Sequence, residues 1–292
     1  MSDADDRRSW LADRVRAGEL TVAPGVFDMV SARIADRFGF DALYATGYGI
    51  SASHLGVPDA GIATYTDMVA RVARICAGVE APVIADADTG FGGLLNVHHT
   101  VRGYEDAGVA AVQLEDQEFP KKCGHAAGRT VVPVADMVTK IEVALDARRN
   151  ADLLVIARTD ARTSLGLDEA IARGRAYAEA GADVVFVESP ENLDEFRSIS
   201  RAIDAPLMAN LVEGGFSPIV DREILADLGF AIVISPVTAL LAAAAAMEHA
   251  YRHLHEHGTS ANLNQPVLPI SDMHELMGFG DVWSFDERWS QT

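Results

Sequence analysis

The sequence predicts a (β/α)8 barrel that forms a single domain over residues 1–292. Short apolar runs typical of strands recur along the chain, and each is followed by a segment whose apolar residues repeat with the helical period of about 3.6 positions. The alternation occurs eight times, which is the number that closes a barrel. An open, doubly wound sheet would show the same local pattern, but no Gly-x-Gly-x-x-Gly motif follows the first predicted strand.

The predicted strands are short and show no alternation between apolar and polar residues. Such strands are buried on both faces, which indicates a parallel sheet covered by helices. In chain order they span residues 20–23, 42–45, 82–85, 110–114, 153–157, 184–187, 207–209 and 231–234.

The helices predicted between these strands carry apolar stripes. Several end near a glycine that suits a helix C-terminus and a tight turn into the next strand, as at Gly39, Gly181 and Gly229. In chain order the helices span residues 29–38, 66–77, 95–107, 135–149, 167–180, 192–203, 221–228 and 239–255.

The C-terminal residues 239–292 comprise the eighth helix and a tail that holds two of the chain's three tryptophans. A lone tail does not hide so much apolar surface. We therefore predict that this segment packs on the barrel or on a neighbouring subunit.

Composition limits the kinds of partner. The formal net charge of −19 argues against nucleic acid or an anionic membrane, because the long-range field would repel both. No apolar run reaches the length of a membrane span, and the N-terminus is acidic rather than a signal sequence. We predict a cytoplasmic protein with reduced Cys76 and Cys123. A small anionic substrate stays compatible, since a local pocket of cations overrides the global charge.

Polar residues follow nearly every predicted strand, at the end where barrel enzymes place their chemistry. Asp86 and Asp88 end the third strand on one side, and Glu115 ends the fourth. Three converging carboxylates are costly without compensation, so we predict a hard divalent cation, Mg²⁺ with Mn²⁺ as the alternative. The competing interpretation is that Asp88 caps the following loop and that Glu115 pairs with Arg158.

Other strand ends offer groups suited to a carboxylate substrate. Arg158 provides a planar fork, unless it only forms an ion pair with Glu188. Asn210 either donates to the same anion or holds a loop. The second strand is followed directly by a turn whose N–H groups can approach an anion. This turn consists of Thr46, Gly47 and Tyr48.

The segment Lys121-Lys-Cys-Gly-His125 holds two of the three lysines and one of the two cysteines. Its polar surroundings are not those of a structural thiol, and the neighbouring cations are expected to favour the thiolate of Cys123. Cys123 is a candidate nucleophile, metal ligand or general acid. Metal ligation is the poorer choice because the further soft ligands of a zinc site are missing.

The order and spacing of eight motifs resemble the isocitrate lyase and phosphoenolpyruvate mutase superfamily over nearly the whole chain. The resemblance implies a (β/α)8 barrel whose eighth helix is swapped between subunits, a homotetramer built as a dimer of helix-swapped dimers, and a Mg²⁺ site for 2-oxo or 2-hydroxy acids. The motifs are Gly25-Val-Phe-Asp28, Thr46-Gly-Tyr-Gly49, Leu55-Gly-Val-Pro-Asp59, Asp86-Ala-Asp-Thr-Gly-Phe-Gly92, Leu114-Glu-Asp-Gln117, Lys121-Lys-Cys-Gly-His125, Ile156-Ala-Arg-Thr-Asp-Ala-Arg162 and Asn210-Leu-Val-Glu-Gly-Gly215.

The resemblance and the polar groups at the strand ends together lead us to expect roles for individual residues. Asp86 is the expected direct Mg²⁺ ligand, and the expected holders of its waters are Asp59, Asp88 and Glu115. The expected catalytic residues are Cys123, Tyr44, Arg158 and His125. The expected substrate contacts are Thr46, Gly47, Tyr48, Lys121, Lys122, Gly124, Arg158, Glu188, Asn210 and Pro236.

The Cys-Gly-His signature resembles the carbon–carbon lyase branch, which includes methylisocitrate lyase, 2,3-dimethylmalate lyase and the petal death protein. The implied reaction is Mg²⁺-dependent cleavage of a 2-hydroxy di- or tricarboxylate, of the 2-methylisocitrate or 2-alkylmalate type, to a 2-oxo acid and a carboxylate. Cys123 is then the expected proton donor, and the base is Tyr44 or a carboxylate-activated water. Oxaloacetate hydrolysis or decarboxylation and a carboxyphosphonoenolpyruvate-type phosphorus–carbon mutase stay as alternatives.

Overall fold

The computed structural model describes residues 3–290. Its parallel strands pair in chain order, and the last pairs with the first, so that the sheet closes into a barrel. Each strand overlaps its predicted position, and the predicted barrel is confirmed. The strands are β1 (Thr21–Val26), β2 (Leu43–Ala45), β3 (Val83–Asp86), β4 (Ala111–Glu115), β5 (Leu154–Thr159), β6 (Val184–Val187), β7 (Leu207–Asn210) and β8 (Phe230–Ser235).

The helices that follow the strands overlap their predicted positions, and several short helices have no counterpart among the predictions. The helices are α1 (Asp3–Arg16), α2 (Met29–Asp36), α3 (Gly47–Ile50), α4 (Tyr65–Ala77), α5 (Leu94–Asp106), α6 (Val134–Ala147), α7 (Ala161–Leu165), α8 (Leu167–Glu179), α9 (Leu193–Ala202), α10 (Arg222–Asp227), α11 (Thr238–His257), α12 (Ile270–Leu276) and α13 (Phe279–Trp289). The unpredicted helices are α1, α3, α7, α12 and α13.

Helix α1 closes one end of the barrel. Its Leu11 and Val15 belong to the same buried cluster as Ile84 and Phe186 from the barrel strands. The guanidinium of Arg8 also donates to backbone carbonyls that precede β4. Because α1 plugs the N-terminal end, the carboxyl ends of the strands are left for a functional site.

The chain divides into two compact units, one ending at Leu240 and the other beginning at Leu241. The first unit carries the barrel and its core. In the second, Leu276 is buried, whereas helix α11 has no buried residue along its length. No helix within residues 3–290 is long and apolar enough to cross a membrane. The packing predicted for residues 239–292 stays a prediction.

Candidate active site

The polar residues predicted at the strand ends lie at the carboxyl end of the barrel, and most are buried. Strands β4 and β5 place Glu115 directly beside Arg158 in the sheet register. Glu188 follows β6 and is 1% exposed, although an unpaired carboxylate is very rarely buried so deeply. Such burial requires compensating partners, and these define the site.

Four carboxylates form an acidic centre, which consists of Asp59, Asp86, Asp88 and Glu115. The Lys121 ammonium forms ion pairs with Asp88 and, at 2.5 Å, with Asp59 Oδ1. Burial raises the pKa of Asp88 to about 7, although Lys121 opposes the shift. Burial also raises the pKa of Glu115 well above its usual range. Lys121 pairs with two of the four acids, and the Arg158 guanidinium lies 3.5 Å from a third, Glu115, so the acids outnumber the cations.

The acidic centre suits a hard divalent cation, which supplies the missing positive charge. Oxygen ligands are those that Mg²⁺ and Mn²⁺ prefer, and Glu115 Oε1 is buried without a hydrogen-bond partner. As the side chains stand, no group of three or more His, Cys, Asp and Glu residues within 3–290 is arranged to hold a metal. Lys121 separates Asp59 from Asp88 at this point, and the ligand assignment stays a prediction.

The turn after β2 lies against the acidic centre. A Cβ atom on Gly47 would be 2.6 Å from Asp86 Oδ2, so a larger residue at this position would displace the Asp86 carboxylate. Thr46 caps α3 by accepting a hydrogen bond from Gly49 N at 3.4 Å. Tyr48 is 40% exposed. The structure thus brings Thr46 and Gly47 to the site and leaves the Tyr48 side chain partly in solvent.

The Arg158 fork is held by three acids. It donates two hydrogen bonds to Asp160, at 2.9 Å from Nε and 2.8 Å from Nη2. Nη2 also lies 3.2 Å from Glu188 Oε2, and Nε lies 3.5 Å from Glu115 Oε2. The guanidinium sits over the Phe186 ring, 5.2 Å from its centroid. Arg158 therefore does form an ion pair with Glu188, and its guanidinium also lies at the centre of the site.

Asp160 and Arg129 are site residues that received no predicted role. Arg129 Nη1 donates to Asp160 Oδ1 at 2.5 Å, and both residues are buried. Burial alone would raise the pKa of Asp160, but the two guanidinium groups hold it below its usual range. The Arg158-Thr-Asp160 spacing could have revealed Asp160, since alternate strand residues share a face. Nothing local indicated Arg129.

Asp116 lies behind the site and anchors it. Its carboxylate accepts hydrogen bonds from Thr159 Oγ1 at 2.7 Å, Tyr177 Oη at 2.7 Å and the backbone N–H of Asp160 at 2.9 Å. Arg173 donates to the same carboxylate at 3.1 Å. This network fixes the carboxyl end of β5, which carries Arg158.

Residues 121–129 form a loop over the strand ends, which we call the lid. The Cys123 backbone N–H donates to the Asp59 carbonyl at 3.0 Å, and the Gly124 carbonyl accepts from Ser189 Oγ at 3.1 Å. A Cβ atom on Gly124 would collide with the Arg158 and Glu188 side chains. Gly124 therefore lets the lid rest directly on the Arg158 fork.

The Cys123 thiol is held in its neutral form. Burial raises its pKa, against the expectation that neighbouring cations favour the thiolate. That expectation is wrong because Lys121 is engaged by the acidic centre, and the exposed Lys122 donates to the Gly128 carbonyl at 2.8 Å. A protonated thiol suits a proton donor better than a nucleophile. The Lys122 side chain thus contacts the lid itself, and only its backbone is hydrogen-bonded to Gln117 after β4.

His125 is neutral and forms one side of the site together with Asn210 and Glu188, and we call this side the far wall. Its Nδ1 accepts from the Phe216 N–H at 3.1 Å, which assigns the ring proton to Nε2. Nε2 lies 3.5 Å from Glu188 Oε1, and burial lowers the pKa of the imidazole. Asn210 Nδ2 donates to Glu188 Oε2 at 3.1 Å, and its Oδ1 is buried without a partner.

Tyr44 lies among the charged groups of the site, and Pro236 directly follows β8. The Tyr44 hydroxyl donates to Gln113 Oε1 at 3.1 Å. Burial and then the Asp86 carboxylate raise its pKa well above the usual range, so that the phenol stays protonated and is a poor general base. Pro236 packs against Gly25, where no side chain would fit.

Taken together, these residues form an enzyme site at the carboxyl end of a (β/α)8 barrel, with an acidic centre, a guanidinium fork and a thiol on a lid. The family model described as phosphoenolpyruvate phosphomutase matches residues 11–255. The chain belongs to this phosphoenolpyruvate phosphomutase family, and the predicted superfamily is confirmed.

The relatives of the chain include lyases. The chain is 47% identical to 2,3-dimethylmalate lyase of Eubacterium barkeri over 290 residues, which cover 99% of each chain. It is 42% identical to 2-methylisocitrate lyase of Aeropyrum pernix over 281 residues, 96% of this chain and 90% of the relative.

Solved structures extend the comparison. Oxaloacetate acetylhydrolase in complex with 3,3-difluorooxalacetate superposes with a TM-score of 0.91 at 37% identity, over 97% of each chain. Phosphonopyruvate hydrolase in complex with oxalate and Mg²⁺ superposes with a TM-score of 0.87 at 30% identity, over 97% of this chain and 99% of the other. The fold thus accommodates Mg²⁺ and a small dicarboxylate in at least one relative.

Proposed function

We propose that this protein is a Mg²⁺-dependent carbon–carbon lyase that cleaves a 2-hydroxy di- or tricarboxylate to a 2-oxo acid and a carboxylate. The observation that carries the proposal is the protonated Cys123 thiol on a lid that rests on the Arg158 fork. Such a thiol can give a proton to a carbanion. The similarity to two lyases over nearly the whole chain supports the same reaction class.

The proposed Mg²⁺ ligand is Asp86, with Asp59, Asp88 and Glu115 holding its waters. Mg²⁺ at this place would lower the pKa of the substrate hydroxyl and fix its orientation. The excess of carboxylates over ammonium groups and the unpaired Glu115 Oε1 support this assignment.

The chain's own groups account for binding of the substrate. The Arg158 guanidinium suits a carboxylate because it is planar and always charged. The turn at Thr46 and Gly47 brings small residues against the acidic centre. The far wall, formed by His125, Asn210 and Glu188, would surround the half of the substrate that departs.

Cleavage then requires one proton to leave the substrate and one to arrive. A carboxylate-activated water removes the proton of the 2-hydroxyl group, since Tyr44 is already committed as a donor to Gln113. The electron pair of the oxygen forms the C=O bond. The C2–C3 bond breaks, and its electron pair stays on C3. The resulting carbanion takes the proton of the Cys123 thiol, and lid closure keeps water away.

Hydrolysis of oxaloacetate is the second candidate, because the superposition on oxaloacetate acetylhydrolase is as close as any reported above. The buried Pro236 favours the lyase. It offers no hydroxyl or amide that could orient an attacking water.

A substrate screen tests the proposal. The purified protein with Mg²⁺ is offered 2,3-dimethylmalate, other 2-alkylmalates, 2-methylisocitrate, isocitrate and oxaloacetate, and pyruvate, glyoxylate, acetate and oxalate are measured separately. We expect pyruvate from an alkylmalate or from 2-methylisocitrate, and no turnover after chelation with EDTA. Acetate and oxalate from oxaloacetate alone would establish the hydrolase instead.

We also propose that the protein is a homotetramer, a dimer of dimers that exchange the eighth helix. Helix α11 supports this proposal because none of its residues is buried. Its Met247, Tyr251 and Leu254 recur at helical spacing and are 49%, 68% and 41% exposed. An exposed apolar stripe of this kind is typical of a surface that contacts another protein chain.

A further inference from the structure

The lid is attached to the barrel by a cation at each end. On its incoming limb, Lys121 forms ion pairs with Asp59 and Asp88. On its outgoing limb, Arg129 forms an ion pair with Asp160. The first anchor belongs to the acidic centre, whereas the second belongs to the fork that is expected to bind the substrate carboxylate.

Arg129 is buried to an extent unusual for a loop arginine. Its side chain is 1% exposed, with Nη1 2.5 Å from Asp160 Oδ1 and Nη2 2.8 Å from Thr163 Oγ1. Its Nε is buried with no hydrogen-bond partner. Burying a guanidinium with an unpaired donor costs stability. A role in folding alone therefore gives a poor account of this residue.

Arg129 affects Arg158 because both guanidinium groups pair with the same carboxylate, Asp160. Arg158 lies within 3.5 Å of three acids, which are Asp160, Glu188 and Glu115. Without Arg129, Arg158 would be the only guanidinium for all three, and Asp160 would hold it more strongly. With Arg129 in place, the charge of Asp160 is shared between two cations. Asp160 then holds the Arg158 guanidinium less strongly, and the guanidinium is more available to bind a substrate carboxylate.

The same contact ties the fork to the position of the lid. Four residues lie between Gly124 and Arg129, and Gly124 rests on the Arg158 and Glu188 side chains. A cavity of about 420 Å³ borders the outgoing limb, Thr163 and Phe216 and gives this limb room to move. If the limb moves away, Asp160 loses Arg129 while Cys123 leaves the site.

We infer that Arg129 is a positioning residue that acts as a latch: through Asp160 it couples closure of the lid over Cys123 to the orientation of the Arg158 fork. The catalytic part of this inference rests on the proposed lyase function. The closure part does not, because it concerns only the exposure of a thiol.

Alkylation of Cys123 tests closure without any turnover. The full-length protein with Mg²⁺ alone is treated with iodoacetamide, and labelling is followed by mass spectrometry, with the buried Cys76 as the internal control. For Arg129→Met we expect labelling of Cys123 to accelerate by about tenfold or more, since a charge-assisted hydrogen bond is lost. Removing a positive charge does not favour the thiolate, so faster labelling reports exposure.

Conservative variants separate the latch from a structural role. Arg129→Lys keeps the charge and should restore most of the protection, and Thr163→Val removes only the outer bond and should give an intermediate rate. Arg197→Met, on the surface of α9, is the matched control and should label as the wild type does. Wild-type labelling rates in both Arg129→Met and Thr163→Val would overturn the latch.

Kinetics test the fork. With the best substrate of the screen, Arg129→Met should raise KM by about tenfold and lower kcat as well, and Arg129→Lys should recover most of KM. An unchanged KM would refute the coupling to Arg158. If the wild type cleaves none of the acids, the proposed function fails, and the labelling rates alone decide the latch.

Discussion

The barrel and the C-terminal unit differ in which side chains are buried and which are exposed. In the barrel, charged residues are buried and paired, as with Arg158, Asp160 and Glu188, which are 6%, 0% and 1% exposed. In the C-terminal unit, aromatic residues are exposed, as with Tyr251 and Trp283 at 68% and 54%. A buried charge indicates a site that the chain completes by itself, whereas an exposed aromatic stripe indicates a surface that needs a partner.

The largest expected effect is on chemistry and is confined to the barrel. Cys123→Ser replaces the thiol by a hydroxyl, which is a far weaker acid. The variant should cleave its substrate about two to four orders of magnitude more slowly, the usual scale for a lost proton donor. Steady-state kinetics at saturating Mg²⁺ measure the loss.

The control for this variant is the other cysteine. Cys76 is buried in the core, and Cys76→Ala should leave kcat near the wild-type value. Both variants should keep the assembly of the wild type. Near-normal turnover by Cys123→Ser would remove the proton-donor role while leaving the fold untouched.

The next effect should appear in assembly and is confined to the C-terminal unit. Leu254→Glu places a carboxylate in the exposed apolar stripe of α11. If the stripe is covered by a second copy, the unpaired buried charge should weaken association by about 3 kcal/mol or more, which is over a hundredfold in Kd. Sedimentation velocity over a range of concentrations measures the shift.

Glu256→Lys is the matched control, because residue 256 lies on the opposite face of the same helix. It should assemble like the wild type. An unchanged sedimentation profile for Leu254→Glu would show that this stripe does not hold the subunits together, and the proposed helix exchange would then fail.

The contrast also explains which features the sequence predicts. Local apolar patterns predict the positions of the strands and helices in the barrel. The predicted strand ends in turn indicate Asp86, Glu115 and Arg158 as site residues. Helix α1 has no such signal, because its role is to plug a barrel that exists only after long-range pairing. Arg129 was missed for the same reason. Its acidic partner, Asp160, lies 31 residues along the chain.

Predictions also fail where charges compete. The cluster of Lys121, Lys122 and His125 around Cys123 indicates a thiolate in sequence, yet burial raises the pKa of the thiol. Lys121 is drawn to Asp59 and Asp88, which no local pattern brings near it. The net field at a buried group depends on partners from distant segments, and neighbours in sequence are a poor guide to it.

The smallest expected effect is on the stability of the barrel. Tyr177 donates to Asp116 Oδ2 at 2.7 Å, and Thr159 donates to the same oxygen at 2.7 Å. Tyr177→Phe removes one hydrogen bond to a buried carboxylate that keeps its other donors, so we expect a loss of about 1–2 kcal/mol in urea unfolding. Assembly should not change, since Tyr177 is fully buried.

A double-mutant cycle with Thr159→Val shows whether the Asp116 network acts as one unit. Each single variant leaves Asp116 with its remaining donors, whereas the double variant removes both hydroxyl donors from one oxygen. The combined loss in unfolding free energy should therefore exceed the sum of the single losses by about 0.5 kcal/mol or more. Simple additivity would mean that the two hydroxyls stabilise the strand end independently.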